Sequence, residues 1–72
     1  MNALNTQIRN YRPEDLQAIV DVYRAGDVDE RIAAVTAIEV IGTAKARLQL
    51  REFLASELQP GVRRILDAAL KS

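Results

Sequence analysis

Ten Lys/Arg and ten Asp/Glu side chains carry most of the chemical potential of this 72-residue chain, which contains no Cys and no His. That composition removes thiolate nucleophiles, disulfides, imidazole bases and the usual zinc sites together. What remains is carboxylates and guanidinium groups, so their spacing decides what they can do. Asp27-Val28-Asp29-Glu30 superficially suggests a divalent-ion loop, but it lacks the twelve-residue spacing and turn glycine of a calcium hand. It reads better as a helix start, in which Asp27 accepts from the Glu30 amide and the Glu30 side chain returns to the Asp27 amide. No glycine-rich phosphate loop, nucleophile elbow or facing pair of carboxylates can be identified, so no catalytic residue, metal site or cofactor is assigned and an enzyme is not expected.

The cations are the other candidates. Arg31 and Arg63 stand 32 residues apart, and as a ladder of planar guanidinium groups they would suit carboxylates on a partner. Locally, Arg31 has Asp27 and Asp29 within reach, whereas Arg63 has no acidic residue in its own turn. Lys45, Arg47, Arg51, Arg63, Arg64 and Lys71 can form a basic patch, but Glu52, Glu57 and Asp67 interrupt it and no aromatic is interleaved for base stacking. A solvated face is the simpler reading. Residues 1–36 hold four basic and six acidic groups, and 37–72 hold six and four, so a formally neutral chain is mildly dipolar. Zero net charge argues against capture by nucleic acid through bulk electrostatics, and nucleic acid is an unfavoured partner.

These side chains must be positioned by helices. With 49% hydrophobic residues, only three aromatics and three glycines, the composition predicts an all-α globular domain. Pro13 suits a first helical position, Glu14 and Asp15 suit the dipole, and Leu16, Ile19, Val20 and Tyr23 make one stripe, giving a helix over 13–25 closed by a left-handed Gly26. From the Asp27 cap, Val28, Ile32, Val35, Ile38 and Ile41 recur at helical spacing until Gly42, with Ala33, Ala34 and Ala37 allowing close helix approach. Thr43 caps a third helix over 44–58, with Ala46, Leu50, Phe53, Leu54 and Leu58 inward. Gln59-Pro60-Gly61 is a break, and Val62, Ile65, Leu66, Ala69 and Leu70 predict a fourth helix to about 71. Residues 1–12 form a separate arm or short helix whose Met1, Leu4, Ile8 and Tyr11 share one helical face. The expected architecture is about four helices in two tandem antiparallel hairpins, 13–42 and 43–72, forming one domain.

A shift of 32 residues lays Glu30–Ile38 over Val62–Leu70, and a shift near 31 lays Ile19-Val20-Tyr23 over Leu50-Arg51-Leu54. The stretch Asp27 to Gly42, with an acidic turn, small residues after the Arg, Ala37-Ile38 and a closing Gly, resembles the second helix of a HEAT-like repeat. Gly61 to Leu70 resembles the same helix again. The similarity is closest to the short subtype of phycobilisome-lyase-like proteins and covers roughly 13–71. The second unit departs from the pattern: Gln59-Pro60-Gly61 replaces the acidic turn, and Arg64 stands where a small residue is expected.

The resemblance implies hairpins that bury their apolar faces against neighbours, and two units leave open ends. In such proteins the repeated Arg commonly bonds an acidic residue or backbone carbonyls of a neighbouring repeat. An interaction or assembly module is therefore expected, binding another protein or itself as a homodimer. The contact residues expected are Leu4, Ile8, Tyr11, Tyr23, Arg31, Arg63 and Arg64, since aromatic and Arg side chains are favoured anchors. The resemblance also implies an alternative, a reduced relative or subunit of a phycobilin lyase or chaperone. A further one is a weak binder of nucleic-acid backbone. No apolar run approaches the ~18 residues of a membrane span, so a cytoplasmic chain with no membrane partner is expected.

Overall fold

The computed structural model describes residues 11–71, so Leu4 and Ile8, and the reading of 1–10 as arm or helix, lie outside the described residues. A 3-10 turn over Pro13–Asp15 leads into α1 (Leu16–Ala25), followed by α2 (Val28–Ile41), α3 (Ala44–Ser56) and α4 (Pro60–Lys71). No strand occurs among the described residues, and the class is all-α. The helices pair in chain order as two hairpins, α1 with α2 and α3 with α4. α2 is the hub, packing on α1, α3 and α4, while α1 and α4 flank it rather than lying along each other.

Local chemistry explains the starts and stops. Proline enters the first turn with its φ already helical, and the Arg12 amide donates to Asp15 Oδ2 at 2.9 Å. At α2 both halves of the Asp27/Glu30 capping box form, at 2.9 and 3.2 Å. Thr43 Oγ1 accepts the Ala46 amide at 3.1 Å and starts α3. Gly42 adopts φ 67°, the left-handed conformation that ends α2.

Gly26 does not: its backbone is extended, with φ −89° and ψ 164°. What demands glycine there is crowding, because a Cβ would meet Glu30 Cβ at 2.6 Å and the Val22 carbonyl oxygen at 2.7 Å.

The core is continuous across both hairpins. Leu16, Ile19, Val20 and Tyr23 of α1 join Val35 and Ile38 of α2, Leu50 and Phe53 of α3, and Val62 and Leu66 of α4 in one cluster. Ala34, Ala37 and Ala46 are fully buried, and a methyl at these positions lets the helix axes approach closely. Ile38, Leu50, Leu66, Val35 and Val62 are the largest fully buried side chains.

One boundary is corrected. α3 ends at Ser56 rather than 58, and Leu58, expected inward, is 89% exposed. Glu57 leaves helical geometry at φ −76°, ψ 128°, which turns its carboxylate inward. Pro60 restricts only Gln59, so the earlier exit at Glu57, which breaks the stripe that would have buried Leu58, goes with the partners its carboxylate meets.

Candidate functional site

Glu57 is the centre of the polar structure. It is 7% exposed, and its carboxylate collects donors from three places in the chain. From α1, the Tyr23 hydroxyl donates to Oε1. From α2, Arg31 Nη1 donates to Oε2 at 3.1 Å, and the following Gln59 amide donates to the same oxygen at 3.1 Å. The Tyr23 ring stacks on Phe53 of α3, with centroids 3.7 Å apart and planes 4° from parallel. One carboxylate at the end of the third helix thus ties the second hairpin to both helices of the first.

The electrostatics follow from that shell. Burial pushes the Glu57 carboxyl up, but the Tyr23 hydroxyl, the Gln59 amide, the Arg31 charge and the Leu58 amide outweigh it and hold the group below its ordinary value. Burial, the hydrogen bond to Glu57 and its negative charge all push the Tyr23 hydroxyl well up, against the Arg31 charge. Burial and nearby Asp15 also raise Tyr11. A depressed acid facing a raised phenol leaves neither poised to exchange a proton near neutrality.

The two arginines 32 residues apart play matching parts. Arg31 Nε donates to the Gly26 carbonyl, the cap of α1, at 3.2 Å. Arg63 Nη1 donates to the Glu57 carbonyl, the cap of α3, at 2.8 Å and to the Leu54 carbonyl at 2.9 Å. Each second-helix Arg therefore closes the C-terminal end of the helix before it, where a cation also complements the dipole. Arg31 reaches Glu57, 26 residues on, rather than the local Asp27 or Asp29.

Of the other anticipated contact residues, Tyr23 is buried, Tyr11 half-buried, and Arg63 and Arg64 exposed. The structure brings Tyr23 and Arg31 together on Glu57 and sets Arg63 on its main chain. Arg64 lies apart from that cluster, lining an open groove between α3 and α4 with Leu54, Pro60, Arg63 and Asp67. Much of the expected basic patch is engaged internally: Arg47 Nη2 donates to the Leu70 carbonyl at 2.8 Å, and Lys71 pairs with Asp67 at 3.0 Å.

Glu57 and Gln59 were missed by sequence reasoning. Gln59 Oε1 accepts the Gly61 and Val62 amides and so caps α4 in the place of the usual Ser, Thr or Asp. A second open groove, between α1 and α3, has the edge of the Tyr23–Phe53 stack in its lining, together with Arg24, Gln49 and Ser56. Large apolar side chains stand in solvent at Val40 (48% exposed), Leu48 (58%) and Leu58 (89%). Among the described residues no group of three or more His, Cys, Asp or Glu could hold a metal ion, and no helix is long and apolar enough to cross a membrane.

No protein-family model matches the chain, and neither a curated protein nor a solved structure matches it.

Proposed function

We propose that the chain is a small non-catalytic module of two HEAT-like hairpins that binds protein through its outer helical surface. The observation that carries this is the division of labour among side chains. The buried carboxylate and Arg31 hold the hairpins to one another, while Val40, Leu48 and Leu58 are left in water. Covering a fully exposed Leu or Val is worth roughly 1.5–3 kcal/mol, and about half of that at Val40 and Leu48, which are already partly shielded, so these positions are a source of binding energy. The shared placement of Arg31 and Arg63 over helix ends supports the repeat reading, since equivalent residues then perform equivalent work.

The test compares the full chain with a Leu48→Ser/Leu58→Ser variant, both first checked for equal helicity. The reading predicts that a protein, another chain or a second copy, is retained by the native form and lost by the variant. Retention of the same proteins by both, or of none by either, counts against it.

A further inference from the structure

The two hairpins carry opposite charge, and the repeat leaves one arginine without the carboxylate its counterpart has. Residues 11–42 hold three basic and seven acidic groups, whereas 43–71 hold six basic and three acidic, giving net −4 and +3. The pair Arg31–Glu57 crosses between hairpins and neutralises itself, so the remaining surfaces differ still more, at −5 and +4. Each hairpin also has its own outer surface, because α1 and α4 both pack on α2 and make little contact with each other.

Position adds to charge. Arg31 takes a carboxylate from the hairpin that follows it, supplied by the residue that caps α3. Arg63, its equivalent, bonds backbone carbonyls but no carboxylate among the described residues, and it lies exposed in the groove beside Leu54, Pro60, Arg64 and Asp67, whose own charge is paired with Lys71. A hairpin added beyond α4 in the same relation would place the turn after its own first helix over this groove. In a second copy that turn is Gly26-Asp27, opening the acidic run Asp27, Asp29 and Glu30.

We infer that the partner of the α3–α4 end is a second copy of this chain, joined head to tail, with the acidic α1–α2 turn of one copy seated on the Arg63/Arg64 groove of the next. This rests on the interaction-module reading and names its partner. Such a contact is heterologous, so each copy offers a further free end and growth need not stop at two. Arg64 and Asp29 are both exposed, and neither makes a side-chain hydrogen bond or ion pair among the described residues, which leaves them available across the contact.

Sedimentation velocity of the full chain over a concentration series, at low and at high salt, reads this directly. The inference predicts species larger than dimers that grow with concentration, and an apparent association constant about tenfold or more weaker in 0.5 M than in 0.02 M salt, because the Debye length shrinks from roughly 20 Å to about 4 Å. Arg64→Glu alone and Asp29→Lys alone each lose association by a similar factor. An equimolar mixture of the two variants regains it, since a carboxylate at position 64 of one copy then faces an ammonium at position 29 of the next. The mixing arm guards against a variant that merely misfolds. A strict monomer at every concentration, a dimer that stops at two, or association indifferent to salt and to both substitutions overturns the inference. None of these touches the broader reading if the native chain still loses a different protein through Leu48→Ser/Leu58→Ser.

Discussion

Replacing Glu57 by Ala removes the side chain on which both hairpins converge, and the consequence can be worked from its surroundings. The Tyr23 hydroxyl, on a residue only 7% exposed, loses its acceptor, and a buried unsatisfied donor costs about 1–3 kcal/mol. The Arg31 side chain is 33% exposed, so water restores part of what it loses and the full penalty of about 3–5 kcal/mol for breaking a buried pair does not apply. Together the expected loss is about 2–4 kcal/mol, against a core of this size that supplies on the order of 3–5 kcal/mol. Urea unfolding followed by circular dichroism should show the midpoint falling by about half or more with the m-value unchanged. Glu57→Gln, which keeps an acceptor for Tyr23 but not the charge for Arg31, should lose roughly half as much. A loss below about 0.5 kcal/mol for the alanine variant, the range of an ordinary surface substitution, would refute the convergence argument.

Other outcomes follow from single residues. Because the Glu57 carboxyl is held below its free value of 4.5, its contribution to stability is complete above that pH and fades as pH falls through the lower folded value; a Glu57→Gln background should flatten this part of an acid-unfolding curve. Tyr23 runs the opposite way, since the unfolded phenol ionises near 10.0 while the folded one is pushed well above it, so stability should decline above that pH, with phenolate absorbance showing both tyrosines titrating above the free value because Tyr11 is raised as well. Gly42→Ala forces a Cβ into φ 67° and should lower stability by about 1–2 kcal/mol in thermal or urea melts. Leu66→Ala in the closed core should cost about 2–5 kcal/mol. By contrast, Leu58→Ser should stay within about 0.5 kcal/mol, although the two leucines sit on stripes that look alike in the sequence.

What was legible in the sequence was local. The α1 stripe of Leu16, Ile19, Val20 and Tyr23 is buried as its spacing implies, and Asp27, Thr43 and Gly42 act as caps and stop because their chemistry is settled within four residues. The polar centre was not legible, since Tyr23, Arg31 and Glu57 meet across 26 and 34 residues and no periodicity connects them. One signal was available: Tyr23 lies on an otherwise aliphatic stripe, and a buried tyrosine hydroxyl needs a partner somewhere. Glu57 was hidden for a related reason. Phe53, Leu54 and Leu58 continue the helical spacing past it, and only the folded neighbourhood, with a phenol and a guanidinium waiting, makes leaving the helix at that residue favourable. Gly26 shows the limit of reading glycine by type: it is required by contact with Glu30 and Val22, not by a positive φ.

Whether the outer helical surface is a protein contact can be read in intact cells by site-specific photo-crosslinking. A photoreactive residue at Leu58, and another at Leu48, should each yield a discrete protein adduct, with Arg64→Glu suppressing the fraction that is a second copy. A photoreactive residue at Leu66, inside the core, should yield none. If Leu58 and Leu48 give no more adduct than Leu66, the surface is not an interface and the proposed function fails.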